Sequence, residues 1–114
     1  MAPSGGSLVK SNSLAGTAVL VQAGALILTA VHAINTTSAD AYIQLFDAAA
    51  IADVSLGTTI PDWVVMSDFG AGLVSEPHTL PAAGLSFRLG LVAASTTTAI
   101  NSTGAAQHAR FVIF

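Results

Sequence analysis

Apolar and polar residues alternate along much of this chain, in short segments separated by turn-forming residues. In 85–91, the odd-numbered residues are apolar, whereas Ser86, Arg88 and Gly90 occupy the other positions. Because successive side chains of a β-strand point to opposite faces of a sheet, this pattern predicts a half-buried strand. In 26–34, both sets of alternate positions are largely apolar, which predicts a central strand covered on both faces.

The spacing of such segments predicts an all-β fold. Clusters of Gly, Pro, Asn and Ser recur at short intervals, and the segments between them have the length of strands. This predicts a single antiparallel β-sandwich, jelly-roll-like, of about eight strands. The remaining predicted strands are 8–13, 18–22, 41–46, 63–67, 72–76 and 109–114.

Three segments depart from the strand pattern. The alanine-rich segment 47–53 predicts a short helical connection, because it is too short for more than two turns. The threonine-rich segments 95–98 and 101–103 predict a polar edge strand or an exposed loop. Residues 1–16, rich in Gly and Ser, predict an extended N-terminal arm before a sandwich domain that comprises residues 17–114.

The composition changes the expectation for the surface of the domain. Charged residues make up only 8% of the chain, against about 25% in an average soluble domain, and the mean hydropathy is +0.73. We therefore expect other protein to cover much of the surface, in a homo-oligomer. The net charge of −3 and the scattered positions of Lys10, Arg88 and Arg110 argue against nucleic acid as a partner.

The uncharged segment 17–34 has about the length of a membrane span or an export signal. Gln22, Gly24 and His32 interrupt it, and only Lys10 stands in place of a basic leader region. Buried strands also form continuous apolar segments. We therefore expect no membrane insertion. The chain contains no cysteine, so a disulfide framework and a thiol nucleophile are excluded.

Few residues carry candidate chemistry. Glu76 and His78 would share one face of an extended segment and could supply two metal ligands, but no third ligand is visible, and a rigid turn between prolines is the simpler interpretation. His32, on an apolar strand, is interpreted as a hydrogen-bonded core histidine. Trp63 is interpreted as a core residue, with stacking on a sugar as the alternative.

The aspartates are placed where short acceptor side chains cap or close turns. Asp47 and Asp53 flank the alanine-rich segment, Asp62 follows a proline, and Asp68 precedes Phe-Gly. No segment combines a nucleophile, a base and an oxyanion donor. The sequence therefore predicts no enzyme, no catalytic residue, no cofactor and no metal site.

Three motifs in order give the chain a resemblance to a known class of protein. They are a strand ending in YIQLFD at residues 42–47, a Gly-Thr-x-x-Pro turn at residues 57–61, and a GLSFRLGL segment at residues 84–91 that is followed by Ala and Thr. Over residues 26–100, this pattern resembles that of small virion proteins of tailed bacteriophages. The longer acidic, Gly-rich segment that these proteins often carry before the last strand is reduced here to residues 100–107.

The resemblance implies a capsid decoration (cement) protein that is made in the host cytoplasm and located on the exterior of the virion head. Its partner would be the major capsid protein, and its implied oligomer is a homotrimer. We expect the N-terminal arm to contribute to the capsid contact through Leu8, Val9 and Leu14, because apolar anchors in a Gly- and Ser-rich segment can bind along a partner. The alternative function is a tail or fibre module that binds a host surface glycan.

Overall fold

The structure is a computed structural model that describes residues 8–35, 40–67, 76–78, 80, 83–100, 103–105 and 107–113. These ranges contain nine strands, all paired antiparallel, and no α-helix. One 3₁₀ turn, Ile51–Asp53, lies in the segment predicted as a short helical connection. The strands are Leu8–Leu14 (β1), Val19–Ala23 (β2), Leu26–Asn35 (β3), Ala41–Asp47 (β4), Trp63–Ser67 (β5), Glu76–His78 (β6), Leu85–Phe87 (β7), Gly90–Thr96 (β8) and Gln107–Ile113 (β9).

The strands form two sheets that pack against each other as a β-sandwich. Sheet A has the order β1-β9-β3-β6, and β7 pairs with β3 beside β6, so the two short strands share one position. Sheet B has the order β2-β8-β4-β5. The pairs β4–β5, β3–β6, β2–β8 and β1–β9 are nested, as if one long hairpin had been rolled into two layers. The predicted jelly-roll-like sandwich of about eight strands is therefore confirmed.

The main core lies between the two sheets. Its largest buried side chains come from the inward-facing positions of the central strands. Phe111 of β9 and Leu28 of β3 contribute from sheet A, and Ile43 and Leu45 of β4 contribute from sheet B. The alternation predicted for half-buried strands is clearest in β9, where every second residue from Gln107 to Ile113 is buried.

A second, smaller core covers the outer face of sheet B. Phe46 and Val92 are buried there, and the half-buried Val54 and Leu56 pack against this cluster from the connection between β4 and β5. As a result, every residue of β8 is buried, including Ser95 and Thr96. The strands covered on both faces are thus β8 and the middle of β4, and the cover comes from the same chain.

The prediction of a central strand over 26–34 is confirmed by β3, but the prediction that both of its faces are covered is wrong. The pairing of β3 with β9 shifts register between Leu28 and Ala30, which marks a β-bulge at Thr29. Leu28 faces the core before the bulge and Val31 faces it afterwards, so the parity of the strand is reversed. The opposite face, which includes His32, is only half-buried.

Two further predictions are corrected. The predicted strand 85–91 is interrupted at Arg88 and Leu89, because the chain passes there from β7 in sheet A to β8 in sheet B. The predicted polar edge strand over 95–98 is wrong, since Ser95 and Thr96 end the central strand β8. Residues 97–100 are exposed, in agreement with the alternative of a loop.

The N-terminal segment belongs to the sandwich from residue 8 onwards. Strand β1 pairs with β9 over its whole length, from Leu8 opposite Ile113 to Leu14 opposite Gln107. The interpretation of all of residues 1–16 as an arm separate from the sandwich is therefore corrected for Leu8–Leu14. Residues 1–7 lie outside the described residues.

One corner of the sandwich requires a glycine. A Cβ atom at Gly104 would lie 2.5 Å from the backbone nitrogen of Gly16 and 2.7 Å from its Cα. Hydrogen bonds at Ser95 hold the two segments in place: its N–H donates to the Ala15 carbonyl at 3.0 Å, and its carbonyl accepts from the Ala105 N–H at 3.1 Å. The connections β1–β2 and β8–β9 therefore pass in direct backbone contact.

Candidate interaction surface

The three residues predicted to contact the capsid have different environments. Leu14 is only 2% exposed and belongs to the main core, so its assignment as a surface contact is wrong. Its apolar character reflects packing between the sheets. Leu8 and Val9 lie in β1 at register positions opposite Ile113 and Val112, and their side chains lie outside the described part of the structure. Their role in a capsid contact stays a prediction.

Two aspartates organise one end of the sandwich. The Asp47 carboxylate accepts hydrogen bonds from the backbone N–H groups of Arg88, at 3.0 Å, and Leu89, at 2.8 Å. The Asp62 carboxylate accepts from the Asp47 N–H at 2.7 Å, and the Asp62 N–H donates to the Leu45 carbonyl at 2.9 Å. The prediction that these aspartates close turns is confirmed. Together they tie the β7–β8 turn and the start of β5 to the end of β4.

The hydrogen bonds at Asp47 have an electrostatic consequence. Burial of the carboxylate acts to raise its pKa, but the backbone N–H groups of Arg88, Leu89 and Gly90, together with the Arg88 charge, outweigh this effect. The pKa of Asp47 is therefore lower than its ordinary value. The turn thus contains a carboxylate that is held in its ionised form.

Large apolar side chains project from the segments that these aspartates anchor. Ile60 is 74% exposed, Leu89 is 56% exposed and Trp63 is 36% exposed. Leu89 lies in the turn held by Asp47, and Ile60 and Trp63 lie on either side of Asp62 in the chain. We call these three residues the apolar end of the sandwich. Hydrogen bonds hold the backbone at Leu89, and strand pairing with Leu45 holds it at Trp63, so these two side chains project from fixed positions.

Trp63 lies at the border between core and surface. Its backbone is opposite that of Leu45 in the β4–β5 pair, so the strand alternation places it on the core side of sheet B. At the start of an edge strand, however, the core no longer covers the ring completely. The interpretation of Trp63 as a core residue is therefore right about the face of the sheet on which it lies. The exposed part of its ring is accessible to a partner.

The two histidines whose side chains the structure describes, His32 and His108, lie on the outer face of sheet A. His32 lies on the outer face of sheet A, between Arg110 of β9 and Pro77 of β6, so the prediction of a core histidine is wrong. The reason is the bulge in β3, which turns residue 32 away from the core. His108 lies on the same face, with its Nδ1 atom 3.4 Å from the Ser13 hydroxyl.

Other candidates for chemistry remain apart or undescribed. Glu76 and His78 lie in β6, and their side chains fall outside the described residues, as does Asp68. Asp53 is exposed in the 3₁₀ turn. Among the described residues, no three His, Cys, Asp or Glu side chains are grouped so that they could hold a metal ion.

The apolar end was not predicted from the sequence. Leu89 appeared to continue the apolar face of a strand over 85–91, and Ile60 lay in a turn motif. The available signal was Gly90, because a glycine inside a predicted strand often marks a break or a bulge. The partners of Asp47, more than forty residues away in the chain, could not be inferred from local pattern.

Comparison with known proteins adds no assignment. In the described residues, no helix has the length and apolar character needed to cross a membrane. Models of protein families, curated proteins and solved structures give no match to this chain.

Proposed function

We propose that this chain is a structural protein of a tailed-phage virion, which decorates the outer surface of the head. Its partner in this proposal is the major capsid protein, and it acts by clamping neighbouring capsid subunits. Copies made in the host cytoplasm bind to the exterior of the head as a homo-oligomer, for which the motif resemblance favours three copies. The proposal involves no catalytic step.

The observation that carries the proposal is an exposed apolar end on a jelly roll with few charges. Jelly rolls occur in virus capsid proteins and in lectins, so the fold supports a structural role by analogy. Ile60, Leu89 and Trp63 supply exposed apolar area, and the last two project from fixed positions. Such a surface favours contact with another protein, because burying apolar area is the main favourable term in protein association.

Heads that lack this protein provide the test. A protein that binds only the assembled lattice stabilises it by mass action, so undecorated heads should assemble but disrupt at a lower temperature. Adding the purified protein should restore the disruption temperature, and a variant with Ile60→Ser and Leu89→Ser should restore less of it. Failure of the wild-type protein to bind bare heads would refute the decoration role.

The contribution of the N-terminal segment needs a separate variant. Removing residues 1–14 would also remove β1 and the buried Leu14, so the shorter deletion of residues 1–7 is the appropriate one. A double variant, Leu8→Ser and Val9→Ser, tests the two remaining predicted contact residues. If both variants bind heads with wild-type affinity and occupancy, the contact does not involve this segment.

The partial exposure of Trp63 favours one alternative, a tail or fibre module that binds a host glycan. Trp63 is the only tryptophan of the chain, so its fluorescence reports directly on stacking by a sugar. Copy number separates the two functions. A decoration protein should occur in numbers comparable to the major capsid protein, whereas a tail module should occur in a few copies per particle.

A further inference from the structure

The edges of the two sheets differ in how well they are protected against pairing with another strand. Natural edge strands commonly carry a charge, a proline or a bulge, or are very short. In sheet A, β1 contains Lys10, while β6 contains Pro77 and has three residues. Each of the sheet A edges therefore carries at least one protective feature.

Sheet B lacks charged residues and prolines at both of its edges. Strand β5 has the sequence WVVMS and pairs regularly with β4, and no strand of the described residues pairs with its other side. Strand β2 has the sequence VLVQA at the opposite edge. Its pairing with β8 contains a bulge between Leu20 and Gln22, so β2 carries one protective feature, whereas β5 carries no charge, proline or bulge.

From these edges we infer that β5 of one copy pairs with β2 of the next copy and that three copies close into a ring. The inference rests on the self-association included in the proposed function and assigns the surfaces that meet. A ring requires a heterologous contact, in which two different surfaces of one chain are complementary. Sheet B provides two different edges of equal length, five residues each.

The directions of the two strands suit this pairing. Strand β2 is antiparallel to β8, β8 to β4, and β4 to β5, so β2 and β5 run in opposite directions. When copies are placed side by side around an axis along the strands, β5 therefore meets the neighbouring β2 in the antiparallel sense. The backbone N–H and C=O groups of both edges then become paired.

The side chains are also complementary when the two strands are centred on each other. Val65 is then opposite Val21 of the neighbouring copy, and both side chains lie on the core side of sheet B. Met66, which is 45% exposed on the outer face of β5, is opposite the half-buried Leu20. No cross-strand pair contains a charge. Apolar cross-strand pairs of this kind stabilise antiparallel sheets.

The first test is the mass of the purified protein in solution. Sedimentation of the wild-type chain at tens of micromolar should give the mass of three copies, whereas Met66→Lys should give one copy, because lysine at a sheet edge opposes pairing. Ile60→Lys adds the same charge at a more exposed position away from both edges, and should remain trimeric. A monomeric wild type, or a trimeric M66K with an unchanged circular dichroism spectrum, would overturn the inference.

Disulfide trapping tests the register directly, since the natural chain has no cysteine. A variant with both Leu20→Cys and Met66→Cys should oxidise to a covalent ring of three, and either single variant should stay uncrosslinked. Val65→Cys would crosslink to itself only in a two-fold β5–β5 pair, so covalent dimers of V65C would refute the ring. These measurements need no capsid, so their result is independent of capsid binding. The ring can be refuted while decoration of the head is supported, and decoration can be refuted while the ring is supported.

Discussion

The substitution Asp47→Asn tests how much the carboxylate at the apolar end contributes to stability. One carboxylate oxygen accepts from both the Arg88 and the Leu89 N–H groups, so an asparagine oxygen in its place would keep two hydrogen bonds, but as a neutral acceptor. The asparagine NH₂ group would stand where the second oxygen now also accepts from Arg88. A hydrogen bond to a charged group is worth about 1.5–3 kcal/mol and a neutral one about 0.5–1.5 kcal/mol. Replacing two hydrogen bonds to a charged group by two neutral ones should therefore cost about 2–3 kcal/mol at pH 7, or about 10 °C in Tm.

The same substitution has a predictable pH dependence. The pKa of Asp47 is lower in the folded protein than its ordinary value near 3.8, which we take for the unfolded chain. Its contribution is therefore fully present above about pH 4 and is lost as the pH falls through the folded-state pKa. The stability difference between wild type and D47N should be constant from pH 7 to pH 5 and decrease below pH 4.

Urea unfolding at several pH values measures this difference, with equal m-values as the check that only stability has changed. Asp53→Asn is the matched control, because Asp53 is exposed in the 3₁₀ turn and none of the hydrogen bonds described above involves its carboxylate. We expect D53N to change stability by less than about 0.5 kcal/mol. A D47N difference that stays unchanged down to pH 3, or that equals the D53N effect, would refute the reasoning.

Three further predictions concern stability. Gly104→Ala should lower the free energy of unfolding by about 2–4 kcal/mol, because the new methyl group would collide with backbone atoms. Gly24→Ala should lower it by only about 1 kcal/mol, since φ is +84° there but the surrounding space is open. Equal losses in urea unfolding would contradict the close approach at Gly104. Phe46→Ala should cost about 3–5 kcal/mol if the second core is as well packed as the first, and a calorimetric loss below 1 kcal/mol would show that it is not. Leu14→Ala should lower the free energy of unfolding by about 2–5 kcal/mol, whereas deletion of residues 1–7 should leave Tm nearly unchanged. The reverse result would show that β1 is an arm and not part of the sandwich.

The fold was predictable because its strands are short and regularly punctuated. Trp63–Ser67 was predicted with the bounds that the structure shows, and most other strands within two residues. The side facing the core was harder to predict. One extra residue at Thr29 reverses the parity of β3, and a bulge has no reliable local signature.

The burial of sheet B on both faces also escaped prediction, because it depends on a tertiary contact. Whether Val92 and Ala94 face solvent, another copy or their own chain is decided by where the 48–62 connection folds. The sequence argument for an oligomer used the low charge and high hydropathy of the chain, and β8 shows that a single copy can itself cover a strand with two apolar faces. The argument for an oligomer now rests on the uncharged edges of sheet B.

Candidate site residues were predicted less well than the strands. The capping role of Asp47 and Asp62 followed from residue type and position, but their donors did not. Leu14 was assigned to a partner contact because its neighbours suggested an arm, whereas an apolar residue at the end of a paired strand becomes part of the core. Local composition cannot separate these two outcomes.

The nested order of the strands affects how the chain reaches its native state. Leu8 is paired with Ile113, so β1 meets its partner strand only after about a hundred further residues have left the ribosome. Until then, β1 has no partner, and the apolar segments of β3 and β4 are available for incorrect contacts. Proteins dominated by such distant pairings fold slowly and are exposed to aggregation during synthesis. The yield of folded protein would then depend on the speed with which β9 is delivered.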